Sequence, residues 1–242
     1  MNNKPLTKKQ IIILLLLYKF RFLHTYQFQK LLNHTYPNRI KVWLKQLTTT
    51  EYIHRNYEPN KFGNKQPAIY YLTKKARKII KEQKKYNQTT LNKIYREQTR
   101  SQTFIDHCLL IADTYLSLQS QLKKNQSLYF ATQTDLEKHE YLPKRLIDAY
   151  IAITKSKTTK RYFLEIIDDT LSKGKIIAKV QKYLKYAENN LWEENTETPF
   201  PSVLIICPNE QIKKWLQRKI NQKLEEEQTE ILFIISITLP VL

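Results

Sequence analysis

Net positive charge is confined to one end of this chain, and that confinement divides it into two bodies with different surfaces. The sequence carries 41 Lys+Arg against 22 Asp+Glu, a net of +19. Residues 1–100 hold 22 basic and 4 acidic residues, 22 − 4 = +18. Residues 101–242 hold 19 and 18, 19 − 18 = +1. A lysine-rich genome would spread basic residues everywhere and would not leave the second part neutral. A one-sided basic balance is the footprint of a nucleic-acid contact surface. The polar stretch Tyr86-Asn87-Gln88-Thr89-Thr90 marks the expected boundary, with domains at 1–88 and 89–242.

The basic region spells three helices and a hairpin. Thr7 is an N-cap candidate for an apolar helix from about Lys8 to Tyr18, and Thr25 for a short helix ending near Leu32. A third helix is expected from Asn38 to Thr49, with Val42, Leu44 and Leu47 as core contacts. Its other face carries Asn38, Arg39, Lys41, Lys45 and Gln46. Strand-like stretches follow at Tyr52–Tyr57 and Ala68–Leu72, around a breaker-rich segment that holds Lys61, Gly63 and Lys65. This is the winged helix-turn-helix pattern. Its third helix fits the major groove of double-stranded DNA, where Asn38, Arg39 and Gln46 would read base edges. Lys61 and Lys65 on the wing would lie on phosphates or in the minor groove, and Lys41 and Lys45 join the DNA-binding set on the helix face. Such domains commonly pair to read two half-sites, so a homodimer is an expectation from class. Thr73 would cap a further helix from Lys74 to about Lys85.

Leu91 to about Lys123 reads as one long helix or two stacked ones. After Lys124-Asn125 the apolar period changes. Strands are expected at Ser127–Thr132, Leu146–Thr154, Arg161–Ile167, Val203–Cys207 and Ile231–Ile237, with helices at Lys175–Asn190 and Asn209–Glu226. The fold class is mixed α/β, and the succession resembles the restriction-endonuclease-like PD-(D/E)XK core. Nucleases of that fold hold a divalent metal on acids of adjacent strands, with a lysine two residues after the second acid. Asp148 and Glu165 take the acid positions. Ile167 stands where the lysine belongs, and Ile147 where proline would precede the first acid; Lys179, one helix on, is the substitute ammonium. Two readings follow. Asp148 and Glu165 are structural or vestigial acids of a non-catalytic domain, or Asp148, Glu165 and Lys179 form a nuclease site using Mg²⁺ or Mn²⁺. No cofactor is expected on the first reading.

Other classes fall away. Cys108 and Cys207 lie in apolar runs and read as buried small hydrophobes of a reducing compartment. The run Ile11–Leu17 is too short to cross a bilayer, so a cytoplasmic protein without a membrane partner is expected. Two glycines, Gly63 and Gly174, exclude a glycine-rich phosphate cradle. The five histidines, His24, His34, His54, His107 and His139, are scattered and make no metal cluster of the kind a relaxase uses.

The chain resembles the plasmid replication-relaxation family in several short stretches. These are Leu6-Thr7-Lys8-Lys9-Gln10 before the first helix, Ile69-Tyr70-Tyr71-Leu72-Thr73 with Ala76 following, and Asp106-His107-Cys108-Leu109-Leu110-Ile111-Ala112-Asp113. Further on they are Ile147-Asp148-Ala149, Phe163-Leu164-Glu165 with Thr170, and Lys179 with Tyr183. Departures are Ile167, where the family often has Asp, and Asp169, where it often has Gly. The resemblance implies an accessory protein of plasmid or mobile-element replication and mobilisation. Such a protein binds double-stranded DNA near an origin and assists a relaxase or replication initiator. A winged-helix transcriptional regulator is the alternative without that partner.

Overall fold

The computed structural model describes residues 5–56, 67–83, 86, 88–227 and 230–240. The chain divides into two compact units, Met1–Leu116 and Ser117–Leu242.

In the first unit, α1 (Lys8–Phe20) is followed by β1 (Leu23–His24), α2 (Thr25–Leu31), α3 (Pro37–Thr49), β2 (Ile53–Asn56) and β3 (Ile69–Leu72). The three strands form an antiparallel sheet in the order β1-β3-β2. This helix–strand–helix–helix–strand–strand order is the winged-helix arrangement. α4 (Ala76–Glu82), α5 (Gln88–Asn92) and a 3₁₀ turn (Ile94–Thr99) lead into α6 (Gln102–Gln121). Thr7 caps α1 with a reciprocal box: its hydroxyl accepts from the Gln10 amide, and the Gln10 side chain accepts from the Thr7 N–H. His24, not Thr25, caps α2 in the same way with Gln27. Imidazole Nδ1 is an acceptor in the neutral ring, so the reversal needs no hydroxyl.

The core face of α3 differs from the sequence expectation. Ile40, Leu44 and Leu47 are fully buried, while Val42 is 49% exposed. The spacing 40, 44, 47 is one stripe of a 3.6-residue helix, and Val42 falls outside it. The two units divide within the last quarter of α6, after Leu116, and not at the expected 88/89. The residues after 88 fold onto the first unit. Arg21 holds Glu97 at 2.5 Å, Gln27 donates to the Leu109 carbonyl and to Asp113, and Phe22 packs with Ile105 and Cys108. A polar stretch in sequence marks a surface turn, and it divides domains only where few contacts cross it.

The second unit is one mixed sheet in the order β4-β5-β6-β7-β8. β4 (Gln126–Thr132), β5 (Ala149–Lys155) and β6 (Thr158–Ile166) run antiparallel. β7 (Ser202–Ile206) and β8 (Phe233–Ser236) continue parallel to β6. The parallel steps cross over through α8 (Lys173–Glu188) with α9 (Leu191–Thr196), and through α10 (Glu210–Glu227). A short α7 (Gln133–Leu136) follows β4. Helix, three strands, helix, strand is the succession of the restriction-endonuclease-like core, with α7 and α9 as insertions that the sequence did not announce. Phe163, Val203, Ile205 and Phe233 from the strands join Val180, Tyr183 and Leu184 of α8 and Leu216 of α10 in one core.

Leu44→Ala is expected to cost about 2–5 kcal/mol and Val42→Ala less than about 0.5 kcal/mol, since only the first opens a cavity. Urea unfolding of the two variants checks the corrected face; equal losses would refute it.

Candidate functional site

Two sites arise from different physics. The first is the solvent face of α3. Tyr36 precedes the helix, Pro37 opens it at the position where a missing N–H costs nothing, and the buried stripe fixes its rotation. Asn38, Arg39, Lys41, Lys45 and Gln46 are all exposed. Arg39 lies over the Trp43 ring, its guanidinium carbon 6.0 Å from the centroid, and His34 meets the same ring edge-on at 5.2 Å. Gln46 is tied to α1, because its side-chain oxygen accepts from Gln10 at 2.9 Å. That bond orients the Gln46 amide and leaves its NH₂ group outside this contact. The wing lysines Lys61 and Lys65 lie outside the described residues.

The second site is buried on the central strand of the second unit. Glu165 on β6 is 1% exposed and Asp148, at the entry to β5, is 8% exposed. The antiparallel ladder between β5 and β6 ends at Ala149 and Leu164. Beyond it the Asp148 N–H donates to the Leu164 carbonyl, and Asp148 Oδ2 accepts from the Ile166 N–H at 2.8 Å. The side chain therefore satisfies a buried donor that the strand has ceased to pair. α8 brings Lys179 and Tyr183 to Glu165, four residues apart and so on one helix face. Lys179 Nζ bonds Glu165 Oε1. The Tyr183 hydroxyl lies 3.4 Å from Glu165 Oε2 and 3.3 Å from the Leu146 carbonyl, with one proton between them.

Burial is the largest influence on Glu165 and raises its carboxyl well above the ordinary range; Asp148 adds to this, while Lys179 and Tyr183 oppose it. Burial pulls Lys179 down, but the charges of Glu165 and Asp148, with the Glu165 hydrogen bond, outweigh it and hold the ammonium up. Tyr183 is pushed well up by burial and by the adjoining carboxylates. A cavity of about 10 Å³ lies against Glu165, Lys179 and Tyr183, roughly what one water centre needs.

Asp148, Glu165 and Lys179, which the sequence placed on separate elements, thus converge. The donor set does not fit a divalent cation as it stands. Both Glu165 oxygens face protein donors, one Asp148 oxygen serves the Ile166 N–H, and an ammonium occupies the acidic side. Among the described residues no group of three or more His, Cys, Asp or Glu side chains is placed to hold a metal ion. Tyr183, named in the sequence only as Lys179's companion in the family resemblance, joins the site as a further member. Its signal was the four-residue step from Lys179.

A basic winged-helix unit, followed by a mixed five-stranded sheet with a buried acid–lysine–tyrosine cluster, is the class of protein these features define. The chain belongs to the replication-relaxation family, whose model matches residues 14–203. No curated protein matches it in sequence. Among solved structures, a mutant of ZitR from Lactococcus lactis aligns at 22% identity and a TM-score of 0.29, over 50% of this chain and 78% of that one. That likeness is too loose to define the fold or a ligand. No described helix is long and apolar enough to cross a membrane.

Removing the ammonium should expose the cost of the buried acid. Glu165, with its folded-state value raised, favours the folded state while protonated and disfavours it as pH rises. Lys179→Met removes the charge that opposes this. Its destabilisation is therefore expected to be small at pH 4.5 and to grow toward pH 8, reaching about 3 kcal/mol. Adding Glu165→Gln should restore most of the loss and flatten the pH dependence. Denaturant midpoints at the two pH values check both steps; a pH-independent loss in Lys179→Met would contradict the arrangement.

Proposed function

We propose that this protein is a double-stranded-DNA-binding accessory factor of plasmid or mobile-element replication and mobilisation. It acts at an origin beside a relaxase or replication initiator. The observation that carries the reading is the outward face of α3. Asn38, Arg39, Lys41, Lys45 and Gln46 share one exposed arc, opposite the stripe Ile40, Leu44 and Leu47. That arc lies in the part of the chain that holds +18 of the +19 net charge. α3 lies in the major groove on this reading. Arg39 and Asn38 reach base edges there, and Lys41 and Lys45 take phosphates, with Lys61 and Lys65 on the wing adding others. Membership of the replication-relaxation family supports the setting. The Asp148–Glu165–Lys179–Tyr183 cluster is structural on this reading and holds α8 on the sheet.

A second reading, a metal-dependent nuclease, is favoured by the convergence of Asp148, Glu165 and Lys179. Against it stand the depth of Glu165 and the engagement of its oxygens. Supercoiled plasmid incubated with the protein and Mg²⁺ or Mn²⁺ is expected to remain uncut. Nicking that disappears in Asp148→Ala would install the nuclease reading instead.

The DNA reading is tested by gel shift. Replacing Arg39, Lys41 and Lys45 together with alanine is expected to abolish the shift, and unchanged affinity would remove α3 from the groove. For the unaltered protein, log affinity against log salt is expected to fall with a slope of roughly −0.9 per phosphate contact. Lys41→Ala or Lys45→Ala should each flatten it by roughly 0.9.

A further inference from the structure

We infer that Val42 is a base-reading residue, making an apolar contact with the C5-methyl group of a thymine in the major groove. The inference rests on the proposal that α3 binds DNA, and it adds a chemical preference at one base position.

The position of Val42 carries the argument. At about 100° per residue, Val42 lies about 160° around the helix from both Ile40 and Leu44, which are fully buried. It therefore points away from the core, near the middle of the exposed arc. Asn38 and Lys45 flank it on one side, and Arg39 and Gln46 on the other. Val42 is 49% exposed, the one large hydrophobic side chain of α3 in that condition. Single exposed apolar residues are common on protein surfaces. This one is set among cations and amides, on the face whose charge complements a polyanion. An exposed β-branched residue also lends a helix little stability, because its side chain loses rotamer freedom there. Neither packing within the unit nor helix propensity accounts for a valine here.

The chemistry of the groove does. Among the four bases, thymine alone presents a methyl group to the major groove, and small apolar side chains recognise it by contact. Val42 carries no donor or acceptor, so it cannot satisfy the N7, O6, N6 or N4 groups of the other bases. Its branched isopropyl group excludes water from the methyl and leaves hydrogen bonding to Asn38, Arg39 and Gln46.

Selection from random duplexes finds the target and tests the contact together. Duplexes of about 20 base pairs with a randomised centre are selected separately on the unaltered protein and on Val42→Ala. The exposed site makes the substitution neutral for folding, which circular dichroism verifies. The expected result is a consensus with a thymine that disappears or weakens in the Val42→Ala selection. Uracil at that one position, which removes only the methyl group, should weaken binding of the unaltered protein about fourfold, the effect of one buried methyl. It should weaken Val42→Ala less, because the shorter alanine side chain makes less contact with the methyl. Identical consensus sequences from the two proteins, no consensus from either, or equal uracil effects on both would overturn the role of Val42. DNA binding through Arg39, Lys41 and Lys45 would still stand in each of these cases. Loss of all duplex binding by the unaltered protein would instead bring down the DNA reading itself, and this inference with it.

Discussion

Glu165 lies on β6, the middle strand of the five-stranded sheet, with 1% of its surface in solvent. An isolated carboxylate in such a place is prohibitively costly, so its neighbours are constrained. Lys179, whose side chain is partly exposed, supplies an ammonium to the acid. Tyr183, one helical turn on, brings its hydroxyl to the second carboxylate oxygen. These two contacts fix the rotation of α8 above the sheet. With α8 placed, Val180, Tyr183 and Leu184 fill the core against Phe163, Val203 and Ile205. Asp148 completes the arrangement from the other side. It closes the end of the β5–β6 ladder, and its charge is part of what keeps Lys179 protonated.

The same acids occupy the strand positions of a nuclease-like framework, with their oxygens engaged by protein donors. A metal site needs carboxylate oxygens that face open space and a position left for water. Here those oxygens face an N–H, an ammonium and a phenol. The apolar Ile167 stands where a lysine beside the metal would project, and it lies in the core cluster.

The basic unit works by a different division of labour. Its stripe Ile40, Leu44 and Leu47 holds α3 in place, and the capping boxes at Thr7 and His24 fix where α1 and α2 begin. Gln10 does two tasks, since it closes the first box and then reaches Gln46. A residue of the first turn of α1 thereby holds an amide of α3. Arg21 and Gln27 carry the unit on past the hairpin, to Glu97 and Asp113. That continuation is why the division of the chain falls inside α6.

Local signals in the chain were enough for the elements and the location of charge. Hydrophobic period, cap residues and turn breakers act over a few residues. The strands β4 to β8, the helices α8 and α10, and the first three helices of the basic unit were therefore legible with ends close to those observed. The +18 of residues 1–100 needs no structure at all. Tertiary structure decided what local signals cannot carry. Val42 resembles a core residue by composition; the 3.6-residue spacing leaves it off the stripe of Ile40, Leu44 and Leu47, and packing decided that this stripe is the buried one. The two-residue β1 is too short to show a period, and it exists because β3 is there to pair with it. The distances and burial around Asp148 and Glu165 are likewise tertiary. Those were set by α8, which folds back 14 residues after Glu165 to place Lys179 on it.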